Sequence, residues 1–161
     1  MRRESEKARA EASELSRAAA YLEGLINIER MPDSSSARFS LLPIQELMGR
    51  LGDPQAQLSI LHVAGSKGKG SPCLLSESLL AKAGATVGTF TSPHLERWTE
   101  RFRIGGEEVS PGRLAEAVDR IRPHVELLRR DPRTCPSFFD ATTAVALLLF
   151  AEAKVDHAVI E

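Results

Sequence analysis

The 161-residue chain is poor in cysteine, tryptophan and tyrosine and carries almost no net charge. Its two cysteines, Cys73 and Cys135, are far apart and show neither a disulfide framework nor metal-ligand spacing, so free thiols of a reducing compartment are the reading. A formal net charge of −1 removes any global electrostatic reason to bind nucleic acid or an anionic membrane. No apolar run approaches the roughly 18–20 residues of a membrane span. The N-terminal MRRESEKARAEASEL mixes basic residues with glutamates where a signal peptide needs an apolar stretch. A cytoplasmic protein is the expectation. What remains, 42% hydrophobic and 27% charged residues, is enough for one globular domain with a substantial core.

What the chain does have is the stretch LSILHVAGSKGKGS at residues 58–71. It reads as a short, buried apolar strand entering a loop with three glycines and two lysines, followed by a helix. Glycines let backbone N–H groups turn inward around an anion, and the positive end of the helix points at the same place. Around this anchor the pattern predicts strands alternating with helices. A first helix spans residues 5–30, with Leu15, Ala19, Leu22 and Ile26 on one face, and a second covers residues 43–51. Strands follow at 58–64 and 86–90, separated by a helix that Ser71 caps and in which Leu75 and Leu79 face inward. Residues 101–109 form a hairpin turning at Gly105-Gly106. A helix from Ser110-Pro111 toward Arg130 is kinked or broken at Pro123. Ser137 and Asp140 make a capping-box variant opening an apolar helix through Lys154, and residues 155–161 form a last strand. Such alternation implies an α/β fold, a parallel sheet flanked by helices.

Several residues could carry chemistry. Within the loop, Gly65, Ser66, Lys67, Gly68, Lys69, Gly70 and Ser71 would cradle phosphate, with Lys69 reaching a terminal phosphate and Ser71 ligating magnesium, capping the helix, or both. The alternative is a tight strand-to-helix turn. The usual pattern G-x-x-x-x-G-K-[ST] is not met, because Val63 replaces the first glycine and the hydroxyl comes one place late. Glu161, at the carboxyl end of a parallel strand, is where such folds hold Mg2+, or else a solvent-exposed strand end. Ser92 is a metal ligand or a plain Ser-Pro turn, and His94 contacts substrate or lies at the surface. His62, inside the strand, reads as a core histidine. The charges around Trp98 read as a solvated loop face, although Trp98 must cover something. Phe138 and Phe139 are core, or one wall of a site for a flat aromatic ligand.

Three segments together carry a specific resemblance. HVAGSKGKGS, GTFTSPHLERWTERFRIGGEEVS and SFFDATTAVALLLFAEAKVDHAVIE resemble successive landmarks of the folylpolyglutamate synthase/dihydrofolate synthase family, which belongs with the Mur ligases. The glycine loop is common to both groups; the SPHL and GEE block is specific to the folate branch. The resemblance implies the central ATP-binding domain of a Mur-type ligase. ATP and Mg2+ would phosphorylate a pterin carboxylate, of dihydropteroate or a reduced folate, and L-glutamate would attack the acyl phosphate. Residues 66–71 match the ATP loop, with Lys69 as its lysine. Ser92 and Glu161 match the magnesium-binding serine and glutamate. Ser137, Phe138, Phe139 and Asp140 match one pterin-bordering segment, and Phe39, Ser40 and Leu41 lie in another.

The chain departs from the family pattern at Lys67, where asparagine is common, and at Pro72, which removes an N–H. The resemblance divides the chain into a helical lead-in, residues 1–57, and an ATP-binding domain, residues 58–161. A strand ending at Glu161 with no loop after it reads as a truncated chain lacking the C-terminal ligase domain, inactive alone and monomeric when full-length. The competing expectations are a Mur ligase of cell-wall synthesis and a non-catalytic nucleotide-binding module.

Overall fold

The computed structural model describes residues 2–26 and 40–161, with side chains from residue 6 onward. Phe39 and the expected end of the first helix fall outside the described residues. The chain forms two compact units, each built from two stretches. One comprises residues 1–53 and 111–145, the other residues 54–110 and 146–161. The units therefore interleave along the chain, whereas the sequence reading divides it once, after residue 57.

The first unit is helical. It contains α1 (Arg2–Glu23), α2 (Leu42–Arg50), α4 (Pro111–Leu128) and the opening of α5 (Phe138–Glu152). Helix α1 buries Ala18 and Leu22, and it ends before Gly24, so Ile26 does not continue its inward stripe and is 54% exposed. Helix α4 presents Leu114, Val118, Ile121, Val125 and Leu128 as one buried face. It runs through Pro123 as one helix, so of the expected kink or break the break does not occur. Pro123 is exposed while Ile121 and Val125 on either side are fully buried, so packing of the opposite face offsets the lost N–H bond. Gly112 lies so close to α1 that a Cβ there would meet Glu11 Cγ at 3.1 Å.

The second unit holds a five-stranded mixed sheet in the order β1-β5-β2-β3-β4 among the described residues. Strands β1 (Ile60–His62), β5 (His157–Ile160) and β2 (Val87–Phe90) are mutually parallel. Strands β3 (Phe102–Ile104) and β4 (Glu107–Glu108) add an antiparallel hairpin whose turn residues Gly105 and Gly106 both have positive φ, at 62° and 87°, as this tight connection requires. Helix α3 (Gly70–Lys82) covers one face, its Cys73 packed with Val87 and Val159 of the sheet. Phe150 of α5 presses on the other face, where a Cβ on Gly88 would come within 2.6 Å of its ring. Only hydrogen fits there.

Three expectations fail in this unit. Strand β1 is an edge, not a buried platform: it pairs only with β5 among the described residues, Ile60 and Leu61 are 45% and 44% exposed, and His62 is exposed rather than in the core. Leu75 and Leu79 point outward, at 62% and 61% exposure, because α3 instead turns Cys73 and Glu77 to the sheet. Ser71 does not cap α3: the N-cap position is Lys69, two residues earlier, and no side-chain cap forms there. The α5 capping box forms as expected, and the helix ends at Glu152. Among the described residues no helix is long and apolar enough to cross a membrane.

Candidate functional site

The carboxyl ends of β1, β5 and β2 lie along one edge of the sheet, so the segments leaving them meet there. The loop leaving β1 reaches α3 through Gly68, whose φ of 71° favours glycine, and through Lys69 in helical conformation. Leaving β5, Glu161 is fixed by its own N–H donating to the Phe90 carbonyl at 3.0 Å. Ser92 follows β2 by two residues, before a cis bond to Pro93.

Three groups converge. The Glu161 carboxylate, 5% exposed, accepts the Ser92 backbone N–H at 3.1 Å and lies 3.4 Å from the Lys69 ammonium. The carboxylate sits beside the first turn of α3: a Cβ on Gly70 would be in ordinary contact with Glu161 Oε2, at 3.7 Å. A negative charge is favoured at a helix N-terminus. Below them Cys73 is buried, and desolvation, followed by the nearby Glu161 charge, pushes its thiol pKa up while Lys69 partly offsets this. The Glu161 carboxylate and Ser92 hydroxyl are hard oxygen donors. Among the described residues no group of three or more His, Cys, Asp or Glu side chains could hold a metal. The pair suits an ion such as Mg2+, which keeps several waters and takes further oxygens from phosphates. Gly65, Ser66, Lys67 and Gly68 form the exposed part of the loop, and Ser71 is exposed in the first turn of α3.

Beyond Ser92, the sequence reading missed how the chain is organised. The Glu100 carboxylate accepts the N–H groups of Leu95, Glu96 and Arg97 at 2.8–3.1 Å, which lowers its pKa. Arg101, 4% exposed, donates from Nε to His94 Nδ1 at 2.8 Å and lies over the Trp98 ring, which in turn packs on His94. An arginine Nε–H can only donate, so His94 Nδ1 is the acceptor in this bond. This run is therefore a scaffold around His94 and not a uniformly solvated face. The acids three and eleven residues beyond Arg97, Glu100 and Glu108, were its sequence signal.

The remaining candidates belong to the helical unit. Ser137 and Asp140 cap α5 reciprocally, with Ser137 N–H to Asp140 Oδ2 at 2.8 Å and Asp140 N–H to Ser137 Oγ at 3.2 Å. Phe138 is core, at 3% exposure, while Phe139 is 41% exposed. Ser40 Oγ accepts the Leu42 N–H at 3.2 Å, and Leu41 is 72% exposed.

No protein-family model matches the chain. It is 41% identical over 119 residues to dihydrofolate synthase/folylpolyglutamate synthase of Bacillus subtilis, covering 73% of this chain and 28% of the relative. The folylpolyglutamate synthase of Mycobacterium tuberculosis complexed with ADP superposes with a TM-score of 0.81 at 33% identity, over 94% of this chain and 32% of that one. An FPGS–AMPPCP–folate complex matches with a TM-score of 0.76 at 32% identity, over 91% of this chain and 34% of that one. The chain thus spans about a third or less of the length of these relatives.

Proposed function

Because the chain belongs to the folylpolyglutamate synthase/dihydrofolate synthase family, which has the Mur ligase fold, we propose that it carries the MgATP site of an enzyme that joins L-glutamate to a pterin carboxylate. The observation that carries this reading is the convergence of Lys69, Glu161 and Ser92 at the carboxyl edge of three parallel strands. On this reading the backbone N–H groups of residues 65–71 hold the phosphates and Lys69 binds the terminal one. Ser92 and Glu161 would hold magnesium, which when bound neutralises phosphate charge during transfer. Lys69 then exchanges its partner, turning from Glu161 to phosphate.

The reaction proposed for the whole enzyme has two steps. A carboxylate oxygen of dihydropteroate or a reduced folate bonds to the γ-phosphorus of ATP and ADP leaves. The glutamate amine then attacks the acyl carbon, phosphate leaves, and an amide remains after loss of a proton. Ser137, Phe138, Phe139, Asp140, Phe39, Ser40, Leu41 and His94 are assigned to the pterin side; of the two phenylalanines, exposed Phe139 is the one to touch a ligand and Phe138 supports it from the core. A cytoplasmic setting, small-molecule substrates and a monomeric full-length enzyme without nucleic-acid or membrane partners complete the proposal. Free Cys73 and Cys135 and a net charge of −1 support it.

Calorimetric titration of the purified chain with ATP tests the site. Saturable binding is expected, strengthened by Mg2+ and weakened about tenfold or more by Lys69→Ala, a loss of about 1.4 kcal/mol. Absence of binding would overturn the reading. Glutamate-dependent phosphate release is expected only from the longer enzyme, and its detection with these 161 residues alone would refute that part.

A further inference from the structure

The face of the sheet under α3 carries a charged row that the proposed chemistry does not use. Arg103 on β3 lies opposite Thr89 on β2 and opposite Glu108 on β4. Residues paired in this way share one face. Its Nε sits 3.2 and 3.3 Å from the two oxygens of Glu77, the buried acid of α3, whose side chain is 5% exposed. Its Nη2 donates to the Gly106 carbonyl in the hairpin turn. Glu108 accepts from Arg97 Nη2 at 2.7 Å and from the Thr99 hydroxyl. Its pKa is lowered by Arg97 first, then Thr99, with Arg103 contributing. Thr99 and Arg97 belong to the segment in which Glu100 gathers N–H groups and Arg101 holds His94.

We propose that Arg103 is a positioning residue of the candidate site, tying the helix that follows the phosphate loop to the segment that carries Ser92 and His94. The proposal rests on the MgATP reading above and adds to it the means by which the two loops keep their spacing. Glu77 is two turns along α3 from Gly70, so fixing Glu77 fixes the direction in which the first turn points. A pair of apolar side chains would hold α3 to β3 about as stably, since buried ion pairs are often replaceable at no cost. What apolar contact cannot supply is orientation. A planar guanidinium bonded to a carboxylate and a carbonyl sets both distance and angle.

That difference is the test. Arg103→Met alone strands the buried Glu77 charge and lowers Tm whatever its role. The decisive variant is the double Glu77→Leu/Arg103→Met, read by thermal melting, MgATP affinity and the emission of Trp98, the only tryptophan. The expected result is a Tm near wild type with MgATP affinity about tenfold weaker and a shifted Trp98 emission. Wild-type affinity and emission in a variant of wild-type Tm overturn the proposal. Should the double variant not fold, Arg103→Lys keeps the charge and loses the fork. It is expected to weaken binding and shift emission in the same direction, and unchanged values overturn the proposal. If the wild-type chain binds no MgATP, the nucleotide reading fails by itself. Trp98 emission in these variants then decides the positioning role.

Discussion

At the scale of single residues, the site is governed by one buried carboxylate. Glu161 exposes 5% of its side chain, and its described partners are the Ser92 N–H and the Lys69 ammonium. Removing a partner from a buried charge costs more than the pair itself is worth. Lys69→Met is therefore expected to destabilise the chain by about 1–3 kcal/mol, discounted because Lys69 is itself partly exposed. In a Glu161→Gln background the same change should cost markedly less. Urea unfolding of the four members of this cycle measures the coupling; additive costs would show that the 3.4 Å contact carries no energy. Cys73 supplies an independent check of burial. With its thiol pKa pushed up by desolvation and by Glu161, it should resist iodoacetamide in the folded chain at neutral pH and label only on unfolding.

At the scale of elements, what was legible in the sequence was what neighbouring residues decide. Ser137 and Asp140 announce the start of α5 because the cap is closed within four residues. Ser137→Ala should cost about 1 kcal/mol in urea unfolding by freeing first-turn N–H groups. The Gly105-Gly106 hairpin was readable for the same reason. The inward face of α3 was not, because Glu77 finds its partner Arg103 26 residues away, and no local pattern favours a buried acid over Leu75 and Leu79. Equally hidden was the edge position of β1: its apolar run suits a central strand, and only the sheet order leaves it open. At the site, Ser92 and Glu161 were legible as residues at the ends of strands, and Lys69 as part of the glycine loop. The Arg101–His94 bond was not, since periodicity says nothing of side-chain direction in a loop. Gly88 illustrates the same limit. Its need for glycine comes from Phe150, and Gly88→Ala should destabilise by about 1–3 kcal/mol as the ring or strand shifts, again read by urea unfolding.

At the scale of the whole molecule, acid sensitivity follows from carboxylates in both units. Asp131 is lowered to about 2, by the Arg133 side chain first and its backbone N–H second. Glu126 is lowered chiefly by Tyr21 and Arg129, Glu108 by Arg97 and Thr99, and Glu100 by the N–H groups it gathers, those of Leu95 and Arg97 first. Every one of these folded-state values lies below the ordinary 4.5 for glutamate or 3.8 for aspartate. Between the two values the unfolded chain binds more protons, so stability rises with pH there. The contribution is complete above the ordinary values and is lost as pH falls through the folded ones. Since these groups are largely exposed, salt should shrink the effect. Thermal melts should thus show a Tm that holds near neutral pH and declines below about 4.5, the decline continuing toward about 2. Arg97→Gln should lower Tm at neutral pH and shorten that decline, because Glu108 then loses the partner that contributes most to its shift. A variant with the wild-type acid dependence would show that the Arg97–Glu108 contact, at 2.7 Å, does not persist in solution.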